Sequence, residues 1–244
     1  MRIPNEMSIK IFADGADKSG MMEMYKQSWI KGFTTNPTLM RKAGISDYEA
    51  FAREMIVCIP DRPISFEVFS DDFDEMYTQA IKISSFGDNV YAKIPISNTQ
   101  GESAVSLIRQ LARAGVKQNV TALMTLEQVE AVNDALSTGP DACISIFAGR
   151  IADTGRDPLP IMKTALEMMK PNPQLELIWA SPRELLNIVQ ADQIGCHIIT
   201  VTNDLLKKLP LIGKDLTQYS LETVQMFRTD AVNAGFSLSV EELV

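Results

Sequence analysis

The sequence predicts an α/β fold: a single (β/α)8 barrel, the TIM-barrel architecture, with an additional C-terminal helix. Along the 244 residues, short apolar runs alternate with segments of helical periodicity. This alternation indicates a parallel sheet, and about eight strand–helix units in a chain of this length favour closure into a barrel. An open doubly wound sheet usually carries a glycine-rich phosphate loop after its first strand, and none is present here. We expect one domain over residues 1–244.

The strands are expected at the short apolar runs. These runs span residues 9–14, 32–35, 64–69, 90–95, 118–123, 142–147, 175–180 and 197–201, and the second is the weakest. The last run begins with His197, the one histidine of the chain, which we expect to be a structural residue at a strand start. A single histidine excludes most histidine-rich metal sites.

The intervening segments carry helix signals. Apolar residues recur at helical spacing at Phe73, Met76, Tyr77, Ala80 and Ile81, and again at Ala104, Ile108, Leu111 and Ala112. Gly115 follows the second set where a helix stop is expected. Capping boxes are predicted for Ser46 with Glu49, Thr125 with Gln128, and Ser181 with Glu184.

The last helix is predicted at about residues 218–234. Its apolar stripe consists of Leu221, Val224, Phe227 and Ala231. Two interpretations are open: the helix packs on its own barrel, or it is an arm that packs on a neighbouring subunit.

Composition restricts the classes of function. The net charge of −8, from 31 acidic and 23 basic residues, disfavours a broad nucleic-acid surface. It still allows an anionic substrate, because a few well-placed basic groups can hold one phosphate. The three cysteines are widely separated and odd in number, which argues against a disulfide framework. A protein of a reducing cytoplasm is therefore expected. Neither a signal-peptide pattern nor a membrane-spanning apolar stretch is found in the sequence, so no membrane partner is expected.

Polar residues at the ends of the apolar runs are the candidates for chemistry, because barrel active sites lie at the C-terminal ends of the strands. They are Asp14, Thr34, Asn36, Glu67, Lys93, Asn119, Thr121, Arg150, Ser181 and Arg183. Lys93 lies between apolar neighbours, where desolvation favours the neutral, nucleophilic amine that imine formation with a ketone requires. The alternative is an ordinary lysine on an edge strand.

The acidic and basic candidates also have two interpretations each. Asp14 and Glu67 are suited to proton transfer, or they cap a helix or pair with a lysine. Arg150 and Arg183 are suited to binding phosphate, or they form surface salt bridges. Ser181 reads as a helix N-cap, an interpretation compatible with phosphate binding at the helix N-terminus.

These residues lie in short motifs whose order resembles the transaldolase family, in particular its short subfamily that includes fructose-6-phosphate aldolase. The motifs are FAD at 12–14, TTNPT at 34–38 (close to TTNPS), FEV at 66–68, AKIP at 92–95, NVT at 119–121 (similar to NLT), FAGRI at 147–151 (similar to FVGRI) and ASPR at 180–183 (similar to ASFR). Each motif is short, but the ordered set covers most of the chain and each member lies at a strand end.

The resemblance implies a barrel enzyme with neither a metal nor an organic cofactor, acting on sugar phosphates. It implies that Lys93 forms a Schiff base, that Asp14 is the acid/base for the hydroxyl at the bond being cut, and that Glu67 and Thr121 hold a catalytic water. The other implied roles are substrate-hydroxyl binding by Asn36 and Asn119, lining of the site by Thr34, and phosphate binding by Arg150, Ser181 and Arg183. A dihydroxyacetone unit would pass from a ketose phosphate, such as fructose 6-phosphate or sedoheptulose 7-phosphate, to an aldose phosphate.

Two positions favour transfer over simple cleavage. Glu67 and Phe147 resemble transaldolases, whereas the fructose-6-phosphate aldolases carry glutamine and tyrosine there. A tyrosine hydroxyl can orient the water that hydrolyses the imine and releases dihydroxyacetone, and Phe147 lacks this hydroxyl. Aldolase-like cleavage is the alternative, and a non-catalytic barrel that binds sugar phosphates is a more remote one.

The chain also departs from the family pattern. Pro182 replaces the aromatic residue of ASFR, and the loop at 97–101 differs from familiar versions. These departures bear on the acceptor and on the sugar chain length. The short subfamily often forms ring-based homo-oligomers in which the terminal helix reaches a neighbour, and the stripe near the C-terminus fits this arrangement.

Overall fold

Eight parallel strands close into a barrel, in chain order around the ring, in a computed structural model that describes residues 6–238. The strands are β1 (Lys10–Asp14), β2 (Ile30–Thr34), β3 (Ile64–Glu67), β4 (Val90–Pro95), β5 (Gln118–Leu123), β6 (Ala142–Ile146), β7 (Leu175–Trp179) and β8 (Ile198–Thr202). The predicted (β/α)8 barrel is therefore confirmed. The expected domain range, 1–244, extends beyond the described residues. The first residues, where we expect no signal peptide, also lie outside them.

Helices follow each strand and surround the barrel. They are α1 (Lys18–Tyr25), α2 (Pro37–Lys42), α3 (Tyr48–Cys58), α4 (Phe73–Ser84), α5 (Val105–Arg113), α6 (Leu126–Leu136), α7 (Ala148–Asp153), α8 (Leu159–Met169), α9 (Leu186–Gln193), α10 (Asn203–Leu206) and α11 (Leu216–Asn233), with a short 3-10 helix at Leu209–Leu211. Within residues 6–238, no helix combines the length and the apolar character needed to cross a bilayer.

The core has two parts, because alternate residues of each strand point into the barrel or towards the helices. The interior part consists of Phe12, Cys143, Ile178, Ala180 and Ile198. The larger part fills the space between the barrel and the helices. The interior is tightly packed: a Cβ added to Gly32 would lie 2.5 Å from the Phe12 ring. The interior of the barrel is therefore filled by these side chains, and a binding site is restricted to the C-terminal ends of the strands.

His197 immediately precedes β8, at the end of the barrel opposite the C-terminal ends of the strands. Its Nδ1 accepts a hydrogen bond from the backbone N–H of Leu177 at 2.9 Å. Burial lowers the pKa of the imidazole below its usual value. These contacts agree with the structural role expected for this residue.

One of the three predicted capping boxes is confirmed. Thr125 and Gln128 each bond to the backbone of the other at the start of α6. At α3 the prediction was wrong, because Asp47, one residue after Ser46, accepts from the N–H of Ala50. At Ser181 it was also wrong, because α9 begins five residues later, at Leu186. Ser181 instead has a φ of 59°, in the left-handed region.

The C-terminal helix α11 has no buried residue. Its apolar side chains include Leu221, Val224 and Phe227, which are 50%, 61% and 62% exposed. Lys214 pairs with Glu222 and so fixes the first turns of the helix to the preceding segment. The interpretation that this helix packs on its own barrel is therefore wrong, because its apolar side chains remain in solvent.

Candidate active site

A cavity of about 530 Å³ opens at the C-terminal ends of the barrel strands. It is the convergence point of parallel strands, so side chains far apart in the chain meet there. Ten of the eleven residues proposed from the sequence line it: Asp14, Thr34, Asn36, Glu67, Lys93, Thr121, Phe147, Arg150, Ser181 and Arg183. Asn119 is the one that does not.

Lys93 lies inside the barrel and is 6% exposed. Its Nζ donates a hydrogen bond to the carbonyl oxygen of Thr35 at 3.1 Å and lies 3.2 Å from Oε2 of Glu67. The pairing of β3 with β4 sets this contact, because Glu67 is the register partner of Lys93. A buried amine beside a carboxylate can pass its proton to that neighbour and then act as a nucleophile.

Tyr48 fixes the end of β3, where Glu67 is located. Its hydroxyl donates to the backbone carbonyl of Glu67 at 2.7 Å, and its ring packs edge-on against Phe66 and Phe69. Burial, assisted by the nearby negative charge of Glu67, raises the pKa of Tyr48 well above its usual range. Tyr48 therefore remains protonated and holds the backbone by donating its hydrogen.

Asp14 ends β1 and reaches into the same cavity. Burial raises the pKa of this carboxyl, while the positive charge of Lys93 and a hydrogen bond from Thr34 act in the opposite direction. Thr34 Oγ1 donates to Asp14 Oδ1 at 2.7 Å, and it lies 2.5 Å from the hydroxyl of Thr200. An aspartate with a raised pKa is suited to exchange protons with a substrate.

Two polar residues of β5 lie at different depths. Thr121 lines the cavity, and its buried Oγ1 has no hydrogen-bond partner among the described residues. Asn119 is completely buried below the cavity, where its Nδ2 donates to Ser65 and its Oδ1 accepts from Ser145. Thr121 is therefore free to bind a water or a substrate atom, whereas both ends of Asn119 are occupied.

Asn36 has a local structural contact as well as a place in the cavity wall. Its Oδ1 accepts from the N–H of Leu39 at 2.9 Å and caps α2. This contact uses the amide oxygen, so the Nδ2 hydrogens are the donors available for a substrate hydroxyl.

The opposite side of the cavity carries Arg150, Ser181 and Arg183. Arg183 binds Asp153 through two hydrogen bonds, one of them from Nε to Oδ1 at 2.9 Å. This contact, and more weakly the charge of Arg150, lowers the pKa of Asp153. In the described part of the chain Arg150 forms no ion pair of its own. Arg150 and the remaining donors of Arg183 are therefore available to an anion.

The segment that carries Ser181 is held in place by close backbone packing. A Cβ added to Gly149 would lie 1.6 Å from the carbonyl oxygen of Ser181, so only glycine permits this approach. The contact joins the start of α7 to the turn after β7 and sets the spacing of the two arginines.

Several residues of the site are not among those predicted from the sequence. Thr200 and Lys42 line the cavity, and Asp153 pairs with Arg183. Thr200 is a polar residue within an apolar run, which was an available signal. Lys42 lies in a helical segment and Asp153 in a charged one, and neither position differs in the sequence from an ordinary surface residue.

Known proteins resemble this chain over most of its length. The sequence model described as transaldolase/fructose-6-phosphate aldolase matches residues 11–239. A probable transaldolase of Dehalococcoides mccartyi is 32% identical over 215 residues, covering 86% of this chain and 96% of the relative. A probable transaldolase of a Thermoanaerobacter species is 32% identical over 231 residues, covering 94% of this chain and 100% of the relative.

Solved structures resemble the chain in fold alone. A 2,3-dimethylmalate lyase of the PEP mutase/isocitrate lyase superfamily superposes with a TM-score of 0.55 at 12% identity, covering 99% of this chain and 89% of that one. KGPDC from Streptococcus mutans gives a TM-score of 0.53 at 11% identity, covering 80% of this chain and 88% of that one.

Proposed function

The chain belongs to the transaldolase/fructose-6-phosphate aldolase family, and from this premise we propose that it is a transaldolase that works through a Schiff base on Lys93. It transfers a dihydroxyacetone unit from a ketose phosphate, such as fructose 6-phosphate or sedoheptulose 7-phosphate, to an aldose phosphate. The observation that carries the proposal is the buried Lys93 amine, 3.2 Å from Glu67 in a cavity with arginines on its opposite side.

The first stage is imine formation. Lys93 gives a proton to Glu67, and the neutral amine attacks the C2 carbonyl of the ketose. The carbinolamine then loses water, with Glu67 acting as acid through a water held by Thr121. The unpartnered hydroxyl of Thr121 supports this role, because a buried hydroxyl without a protein partner is suited to bind water.

The second stage is cleavage between C3 and C4. Asp14 removes the proton of the C4 hydroxyl as the bond breaks, the electron pair enters the imine, and an aldose phosphate leaves. The resulting enamine adds to the aldehyde of a second aldose phosphate, and Asp14 returns the proton to the new hydroxyl. Hydrolysis of the imine then regenerates Lys93. The raised pKa of Asp14 supports its alternation between base and acid.

The terminal phosphate is bound by Arg150, Ser181 and Arg183. Thr34 and Asn36 contribute to the wall that holds the sugar hydroxyls. Asn119 does not enter this assignment, because its amide is bound to Ser65 and Ser145 below the cavity.

Phe147 supports transfer in preference to hydrolysis. It lines the cavity and brings no hydroxyl to orient a water at the enamine or imine. The enamine therefore persists until an aldehyde arrives. If the enzyme were instead an aldolase, it would release free dihydroxyacetone without an acceptor.

We also infer that the protein is a cytoplasmic homo-oligomer with a role in the pentose phosphate pathway. The exposed apolar side chains of α11 support assembly, because a second subunit would remove them from water. The three cysteines are widely separated and cannot all be paired, which supports a reducing compartment.

Borohydride trapping tests the mechanism directly. The protein is incubated with fructose 6-phosphate and borohydride, and the reduced adduct is mapped by mass spectrometry. We expect the adduct on Lys93 and its loss in Lys93→Ala. Lys10→Ala is the matched control, because Lys10 is also on a strand but pairs with Glu176 at 50% exposure. An adduct on another lysine would refute the assignment.

A further inference from the structure

Thr200, on the last strand of the barrel, is connected through Thr34 to Asp14, the proposed acid/base on the first strand. Barrel closure places β8 beside β1, and β1 beside β2. The hydroxyls of Thr200 and Thr34, 166 residues apart in the chain, are 2.5 Å apart, and Thr34 is 2.7 Å from Asp14 Oδ1. Thr34 and Thr200 are 2% and 6% exposed, so bulk water does not compete strongly for these contacts.

The direction of the two hydrogen bonds follows from the number of protons. An ionised carboxylate only accepts, so the single hydroxyl proton of Thr34 goes to Asp14. Thr34 then has no proton left, and the short contact with Thr200 requires that Thr200 donates. The ordered chain runs from Thr200 to Thr34 to Asp14.

We propose that Thr200 is a positioning residue for Asp14: by donating to Thr34, it commits the Thr34 proton to Oδ1 and leaves Oδ2 as the atom that exchanges protons with the substrate. The inference rests on the proposed function, since it gives a role to the carboxylate of that mechanism. Oδ2 has no hydrogen-bond partner among the described residues, and Asp14 lines the cavity.

The series of hydrogen bonds from Thr200 through Thr34 also favours the carboxylate form of Asp14. Burial raises the pKa of this group, and the hydrogen bond from Thr34 partly offsets the effect, together with the charge of Lys93. The other charged groups of the cavity wall are Glu67, Lys42, Arg150 and Arg183. Because none of these is altered by a change at Thr200, a shift in the titration of Asp14 reports on the hydroxyl chain.

The test compares Thr200→Val with Thr200→Ser and with Thr202→Val. Valine keeps the shape and removes the donor, serine restores the donor, and Thr202 is an exposed threonine at the end of the same strand. The readout is kcat for transfer from fructose 6-phosphate to an aldose phosphate across pH. Loss of a neutral hydrogen bond predicts a fall in kcat of about fivefold for Thr200→Val.

The pH dependence separates positioning from packing. Cleavage needs the carboxylate, so activity falls as pH decreases through the pKa of Asp14. A weaker bond from Thr34 raises that pKa, and the acidic limb moves to higher pH in Thr200→Val. Thr200→Ser returns both kcat and the limb towards the wild type, and Thr202→Val changes neither.

Two results would overturn the inference. One is an acidic limb that stays in place in Thr200→Val, whatever the change in kcat. The other is a Thr200→Ser variant that is as impaired as the valine variant. Imine trapping on Lys93 is run on the same samples. Absence of the adduct in the wild type would instead refute the proposed function, so the two failures are distinguishable.

Discussion

The two arginines of the cavity should contribute unequally to phosphate recognition. Arg183 uses Nε and Nη2 to bind Asp153. Three N–H groups on Nη1 and Nη2 remain for a phosphate, but the carboxylate of Asp153 already partly neutralises the charge of this guanidinium. The Arg183 side chain is 46% exposed, so solvent screening reduces the value of the charge.

These contacts set the magnitude expected for Arg183→Ala. A charge-assisted contact from a half-exposed guanidinium that is already paired with a carboxylate contributes about 1–2 kcal/mol, which corresponds to a loss of about 5- to 30-fold in kcat/KM. Arg150 has no ion-pair partner in the described chain, so Arg150→Ala should cause the larger loss. Asp153→Asn removes the competing charge and should change phosphate binding less than either arginine substitution.

The assay measures kcat/KM with fructose 6-phosphate and with free fructose. Both arginine variants should lose activity selectively with the phosphorylated sugar. Arg156→Ala is the matched control, because Arg156 is an exposed arginine of the α7–α8 connection that contacts Thr154 and does not line the cavity. Equal losses with both sugars would show that the arginines are structural and that the phosphate lies elsewhere.

Three further outcomes are expected. Phe147→Tyr should increase the release of free dihydroxyacetone without an acceptor, measured by a coupled reductase assay; unchanged release would remove Phe147 from the control of water. Lys42→Ala should raise KM for phosphorylated sugars about two- to fivefold through the loss of one exposed charge at the cavity wall, whereas Arg41→Ala, outside that wall, should not. Phe227→Asp should reduce the sedimentation mass while preserving the circular dichroism spectrum, because this 62% exposed side chain lies on α11; an unchanged mass would argue against assembly through α11.

The order of strands and helices could be predicted from the sequence because it depends on neighbouring residues. Apolar runs such as 90–95 have the length and β-branched content of buried strands. In the segments between them, apolar residues recur at helical spacing. The general position of the candidate site followed as well. Once the strands are parallel, their C-terminal ends converge, and Asp14, Glu67 and Lys93 are brought to one end.

Boundaries were less predictable where tertiary contacts compete with local signals. Ser181 has the sequence of an N-cap, but the carbonyl of Ser181 packs against Gly149, and the residue takes a left-handed conformation before α9 starts. The α11 stripe has the pattern of a helix that packs on its own barrel, and yet its side chains are exposed. A stripe specifies an apolar face but not the surface that covers it.

The sequence by itself determined the alternation of elements, the fold class and the residue types at the strand ends. Only the tertiary structure decided which side chains touch: Lys93 with Glu67, Arg183 with Asp153, and Thr200 with Thr34. The reason is that propensity and periodicity act over a few residues, whereas these contacts depend on strand register and on closure of the ring. Closure brings β8 against β1, and so Thr200, which positions the proposed acid/base Asp14, comes from the last strand of the barrel and Asp14 from the first.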